Sequence, residues 1–174
     1  MYAEASGDET LLKVTISGPP GSGTSTLVSR IASSRDWSSL NGGDVFREEA
    51  RTRGLTVEQL SSEAKEDLDV DRSLDSLLQK RMSSKDSPEI VESRLSGWWA
   101  YKNNLNCLRV WVNVSEQERA RRFQKREGGE LEDCLRKSQK RQRDDMERYS
   151  TLYDINLDDM SPVSYTHLTL PTKA

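Results

Sequence analysis

Histidine is nearly missing: the 174 residues hold one, His167. That count argues against a His-based catalytic triad or a histidine metal site. Cysteine is scarce as well, and Cys107 and Cys134 cannot build a disulfide framework or a zinc site alone, so a reducing cytoplasm is the expected compartment. No apolar run approaches the ~18–20 residues of a membrane span. The opening MYAEASGDET is acidic and lacks the hydrophobic stretch of a signal peptide. Apolar residues are 33% and charged residues 32%, polar for a globular protein, yet runs such as 11–16 and 108–114 are enough to build a core. The length suits one domain with a mobile appendage.

The lone histidine lies in a tail of its own kind. Val163 to Thr172 reads VSYTHLTLPT, which matches one frame of a transposon-end sequencing adapter without a mismatch. The competing reading is a natural Thr-rich strand. Residues 162–174 are therefore expected to be non-native and are set aside from fold reasoning. The natural C-terminus is expected to be missing.

Residues 1–10 read as a disordered leader. Residues 11–17 (LLKVTIS) are a β-rich run ending at glycine, and Leu27, Val28, Ile31 and Ala32 mark one face of a following helix. Strand, glycine loop and helix make the first half of a βαβ unit. A short run to Leu40 precedes a turn at Asn41-Gly42-Gly43 and a helix from Asp44. Thr56-x-x-Gln59 is a capping box opening another helix, and a further helix covers 70–82. Residues 44–75 hold ten acids against five bases and read as a solvated acidic region. Strands are expected at 88–92 and 108–114, with Gly97-Trp98-Trp99 in a loop or short helix between them. Ser115-x-x-Glu118 opens a helix to about Glu127, Gly128-Gly129 breaks it, and 130–149 is a long polar helix. Trp98 and Trp99 are read as packing against the neighbouring helices, with flanking of a base as the alternative; Tyr101 and Trp111 are read as core, and both cysteines as structural. Strands alternating with helices imply a doubly wound parallel sheet. Such sheets bind ligands at the carboxyl ends of their strands, where the glycine loop, Asp44 and Glu92 should converge.

Gly18-Pro19-Pro20-Gly21-Ser22-Gly23-Thr24-Ser25-Thr26 has the spacing of a phosphate-binding P-loop. Its glycines let successive N–H groups turn inward, and the helix behind adds a positive dipole end. Ser25 falls where a hydroxyl ligates Mg²⁺. The lysine position, however, is Thr24. The alternative is a plain glycine-rich turn or a decayed loop. Lysine normally neutralises the β- and γ-phosphates, so other cations must offset its loss. Residues 119–143 supply candidates: ten Lys/Arg against four Asp/Glu, on a chain of net charge −3. A basic arm on an acidic body suits closure over a polyphosphate. A solvated helix laced with ion pairs is the bland alternative. A nucleic-acid arm is disfavoured by the acidic body and by the lack of interleaved aromatics.

With these pieces in hand, the chain resembles cytidylate kinases of the archaeal type, P-loop nucleoside monophosphate kinases, from about Val14 to Asp159. ISGPPGSGTST is close to the archaeal loop, in which threonine can take the lysine site. GDVFRE resembles a Gly-Asp-x-Phe-Arg segment whose arginine holds the acceptor phosphate. IVESRLSGWW resembles a strand ending in Glu-Gly-Arg-Leu-x-Gly-Trp, with Ser93 departing from the glycine. Arg119-Ala-Arg-Arg122 and onward to Arg126 resembles the start of the LID flap. Arg141-x-x-x-Asp145-x-x-Arg148 resembles the acceptor-gripping signature, and its i, i+4, i+7 spacing puts all three on one helical face.

The resemblance implies an α/β three-layer kinase fold over 11–161, with a parallel sheet, a helical LID at about 119–143 and its last strand missing. It implies ATP-dependent phosphorylation of CMP or dCMP with Mg²⁺, by a cytoplasmic monomer that needs neither nucleic acid nor membrane. Residues 18–26 would bind ATP, and Ser25 and Glu92 would serve the metal. Asp44, Arg47, Arg94, Arg141, Asp145 and Arg148 would bind the acceptor. Arg47, Arg94, Arg119, Arg122 and Arg126 would act on the transferring phosphoryl. The chain, lacking its last strand, is expected to be a poor enzyme. Two alternatives stay open: a related kinase for another monophosphate or small hydroxyl compound, and a non-catalytic nucleotide-binding protein.

Overall fold

A computed structural model describes residues 10–168. The expected leader, apart from Thr10, and residues 169–174 of the tail lie outside the described residues. The order is β1 (Val14–Ser17), α1 (Thr24–Arg35), β2 (Ser39–Asn41), α2 (Gly42–Thr52), α3 (Val57–Glu66), α4 (Leu68–Met82), β3 (Ile90–Glu92), α5 (Ser96–Lys102), β4 (Leu108–Asn113), α6 (Glu116–Glu127), α7 (Leu131–Tyr153) and β5 (Tyr165–Leu168). The five strands form one sheet in the order β2-β3-β1-β4-β5. Every pairing is parallel, with Ile16 opposite Glu92 on one side and Val110 on the other. The chain fills one side of β1 first and then crosses to the other, so the switch point falls at the end of β1.

Strand alternation divides the core into two layers. Val14, Ile16, Ile90, Val110 and Val112 pack on Val28 and its neighbours Leu27 and Ile31 from α1. Val91 and Trp111 face the opposite side, against Leu95, Trp98 and Trp99 from the α5 region and Tyr149 from α7. On that side β1 carries Thr15 and Ser17 in place of large residues, and both are buried. Their small size admits α5 closely: a Cβ on Gly97 would sit 3.8 Å from each hydroxyl oxygen. Ser17 Oγ and Ser96 Oγ are hydrogen-bonded at 3.0 Å. Two satellites complete the molecule. Ala50, Leu60 and Val70 hold α2, α3 and α4 together, and Ala120, Phe123 and Cys134 join α6 to α7.

The capping box at Thr56 and Gln59 forms in both directions, at 3.1 and 2.8 Å. Ser115 Oγ accepts from the Glu118 N–H at 3.3 Å. Three expectations need correction. The helix expected from Asp44 starts at Gly42, because Asn41 is its cap rather than part of a turn. The last helix runs on to Tyr153, where Asp154 ends it in the left-handed region. Tyr101 is not core: it is 50% exposed, with the Arg109 guanidinium 5.6 Å from its ring centre. Tyr165–Leu168 of the tail pair with the outer edge of β4. Trp98, Trp99 and Trp111 are buried as expected, and so is Cys134. Cys107 is half-buried, and desolvation pushes its thiol up to about 11. Among the described residues, no helix is long and apolar enough to cross a membrane.

Candidate active site

The loop after β1 is shaped by its glycines. Gly21 and Gly23 take φ of 81° and 87°, in the left-handed region that side chains resist. At Gly18, a Cβ would meet Ser22 Oγ at 2.6 Å and Val112 O at 2.9 Å, so only glycine lets the loop turn against β4. Gly23 caps α1 without a side-chain bond, which leaves the first amides of α1 available to an anion. Thr24 and Ser25 line a cleft of about 1040 Å³ beside this helix start. The Ser25 hydroxyl donates to Glu92 Oε1 at 3.0 Å, so the two residues assigned to a metal meet between the start of α1 and the end of β3. Among the described residues, no group of three or more His, Cys, Asp or Glu side chains could hold a metal. A hard cation here would therefore share its shell with phosphate and water, as Mg²⁺ does.

The same cleft gathers Arg47, Arg94, Arg141, Asp145 and Arg148. Arg94 donates from Nε to Asp145 Oδ2 and from Nη1 to Gly18 O, both at 2.9 Å. Asp145 Oδ1 also accepts from Arg148 Nη2 at 3.2 Å. Arg47 is steered by Asp44, whose Oδ1 takes its Nη2 at 2.6 Å. Asp44 is the one predicted acceptor residue outside the cleft. Its other oxygen accepts the Asn41 N–H at 3.4 Å in a capping box, and it lines the neighbouring groove instead. The Asn-x-x-Asp spacing that produces this cap is visible in the sequence, as Thr-x-x-Gln is.

The predicted LID arginines do not enter this cleft. Arg119 is 2% exposed and bonds Pro20 O at 3.3 Å and Gln142 Oε1 at 2.6 Å. Burial pulls its guanidinium below the ordinary arginine value. Arg122 donates to Ser22 O at 2.8 Å and to Glu118 Oε1 at 3.0 Å. Arg126 faces outward, paired with Glu127 at 2.7 Å. Arg119 instead walls a second cleft of about 460 Å³, lined also by Pro19, Trp111, Gln142, Met146, Leu157 and Met160. Arg94 and Asp145 line both clefts and form their shared wall.

Sequence reasoning missed the far wall of the large cleft. Asp71 and Asp75 of α4 line it together with Leu74 and Leu78. Burial raises both carboxyls above the ordinary range. Tyr153 Oη donates to Asp75 Oδ2 at 2.5 Å, and desolvation followed by that bond drives the phenol upward. Tyr149, beside Asp145, is pushed up to about 12, first by burial. The signal was available: Asp71 and Asp75 are four apart, on the face that also carries Leu74 and Leu78.

An all-parallel sheet with a glycine loop at its switch point, two clefts that share Arg94 and Asp145, and the paired helices α6 and α7 beside the loop define a P-loop protein of the kinase type. The AAA domain family matches residues 17–149. A shikimate kinase from Bacteroides thetaiotaomicron superposes with a TM-score of 0.58, covering 89% of this chain and 84% of that one at 13% identity, a likeness of fold. Among sequence relatives, the cytidylate kinase of Archaeoglobus fulgidus is 38% identical over 147 residues, 84% of this chain and 79% of that protein. That of Haloarcula marismortui is 36% identical over 148 residues, 85% of this chain and 76% of that one. The chain belongs to the cytidylate kinase family.

Proposed function

We propose that the chain transfers the γ-phosphoryl group of ATP to CMP or dCMP, giving ADP and CDP or dCDP. The observation that supports this most strongly is the large cleft, where the glycine loop meets Arg47, Arg94, Asp145 and Arg148, in a member of the cytidylate kinase family. The acceptor oxygen belongs to a phosphate already ionised at pH 7, so no general base is required, which suits a site without histidine. Catalysis then consists of positioning and charge neutralisation.

In this reading the amides of the 21–25 loop hold the donor phosphates and the smaller cleft takes the adenine. Trp111, Met146, Leu157 and Met160 offer the apolar wall a base needs. Arg47 and Arg94 hold the acceptor phosphate, and Arg141, Asp145 and Arg148 orient the rest of the acceptor. Because Arg94 is bonded to Gly18 O, a change in its position is felt directly by the donor loop. Ser25 Oγ and Glu92 Oε1, 3.0 Å apart, are hard oxygen donors of the type Mg²⁺ accepts. Magnesium supplies neutralisation of the donor phosphates. The test is γ-labelled ATP with CMP, dCMP, UMP, AMP and GMP as separate acceptors. Label on CMP and dCMP far above the others supports the proposal. Label on another acceptor alone, or on water alone, contradicts it.

A further inference from the structure

The loop has no lysine, and the only residue at that position, Thr24, carries no charge. Three successive loop carbonyls are nevertheless faced by guanidinium groups. Arg119 Nη1 donates to Pro20 O at 3.3 Å, and Arg122 Nη1 reaches Gly21 O at 3.5 Å and Ser22 O at 2.8 Å. Both arginines come from one turn of α6, and both are fixed. Arg119 is almost wholly buried and is held by Gln142 of α7. Arg122 is held at Nε by Glu118, itself 5% exposed. Glycine at position 23 is part of the contact, since a Cβ there would lie 3.0 Å from Arg122 Nη1.

None of the described peptide bonds is cis, so each N–H points opposite to the carbonyl of its own peptide unit. With the carbonyls of Pro20 and Ser22 turned to α6, the N–H groups of Gly21 and Gly23 are turned away from it. The Ser22 N–H closes a turn on Pro19 O at 3.1 Å. A cation on the carbonyl end strengthens the positive end of the same peptide and stops it from rotating away. Arg121 and Arg126, 60% and 62% exposed, make no such contact: they pair with Glu118 and Glu127.

We propose that Arg122, backed by Arg119, is the positioning residue that offsets the missing lysine, acting on bound phosphate through the loop carbonyls instead of touching it. The proposal rests on reading the glycine loop as the ATP phosphate site. Its distinguishing consequence is a coupling between position 122 and position 24. A lysine at 24 would deliver directly the charge that Arg122 delivers through the backbone, so the two should substitute for one another.

The experiment titrates Mg-ATP and CMP separately into four versions of the 174-residue chain: unchanged, Arg122→Gln, Thr24→Lys, and the double variant. Arg122→Gln is expected to weaken ATP about tenfold, equivalent to about 1.4 kcal/mol, and CMP by no more than about twofold. Thr24→Lys is expected to tighten ATP at least about threefold more in the Arg122→Gln background than in the unchanged chain, a non-additivity that marks shared function. Unchanged ATP affinity in Arg122→Gln, equal losses for ATP and CMP, or the same effect of Thr24→Lys in both backgrounds would overturn the proposal. Should Arg122→Gln not fold, Arg122→Lys with and without Thr24→Lys gives the same comparison at reduced size, and a melt on each protein separates lost fold from lost affinity. Binding is read, not turnover. A chain that binds Mg-ATP with this coupling but phosphorylates an acceptor other than CMP would sink the functional reading and leave this one standing.

Discussion

Arg94 donates to Gly18 O with one end of its guanidinium and to Asp145 with the other, tying the glycine loop to α7 through a single side chain. Removing it would strip the phosphate contact proposed for it and leave the Asp145 carboxylate, among the described residues, with Arg148 as its arginine partner. Arg94→Ala is expected to lower kcat/KM for CMP at least about 100-fold, or about 2.7 kcal/mol. Arg94→Lys should recover little, because an ammonium cannot span both partners. Steady-state kinetics with saturating Mg-ATP decide this, and a loss under about threefold for Arg94→Ala would refute the role. Asp145 separates the two nucleotides more finely. It belongs to the helix that lines the cleft proposed for the acceptor, so Asp145→Ala should weaken CMP at least about tenfold more than ATP. Separate titrations of each nucleotide check it, and equal losses would make α7 a structural brace only.

At the scale of elements, α4 shows what composition conceals. Residues 44–75 hold ten acids and five bases, and most of the acids are indeed on the surface, but Asp71 and Asp75 face inward. Counting charge along the chain cannot separate the two sets, whereas helical spacing with Leu74 and Leu78 does. The strands were legible from their β-branched runs, and α1, α3 and α6 from their apolar spacing or caps. Element ends were less legible where the cap was a side chain of another type, as at Asn41, or where the chain stopped only at a left-handed residue, as at Asp154. The LID arginines were legible as a basic cluster but not in their targets, because which guanidinium reaches which carbonyl depends on how α6 meets the glycine loop in space.

Asp75 also gives the fold a pH signature. Its folded pKa is raised by burial, so the native state holds this proton more tightly than the unfolded chain. Its contribution is therefore fully present below the unfolded carboxylate value and is lost as pH rises through the raised one. Asp75→Asn, which keeps an oxygen for the Tyr153 hydroxyl, should be more stable than the unchanged protein at neutral pH. That advantage should shrink as pH falls through the raised range, and thermal melts from pH 4 to 8 read the difference. A constant difference across the range would show that Asp75 does not titrate there. Tyr153→Phe removes the donor at 2.5 Å and should cost ~1–3 kcal/mol by leaving the carboxylate short of a partner. Chemical denaturation measures that loss.

In the whole molecule, both clefts are lined by residues from Gly18 to Met160, whereas β5 only covers the outer edge of β4. We propose that the tail, whatever its origin, contributes backbone pairing and no chemistry, and that the chain, read from its sequence as a poor enzyme, is active with the tail paired to β4. A chain ending at Ser161 should then expose Val110, Trp111 and Val112 along a free edge, melt lower and scatter more light on standing. Equal melting and scattering would show that the pairing adds nothing. Residues 119–143, with ten Lys/Arg against four Asp/Glu on a chain of net charge −3, meet the loop that would hold ATP through Arg122. The most direct measurement of the central claim is the transfer of label from γ-labelled ATP to CMP by the 174-residue chain, with Arg94→Ala run beside it. The account predicts labelled CDP from the unchanged chain and its near loss in the variant. Binding of both nucleotides with no label on CMP, or label on CMP undiminished in Arg94→Ala, would contradict it.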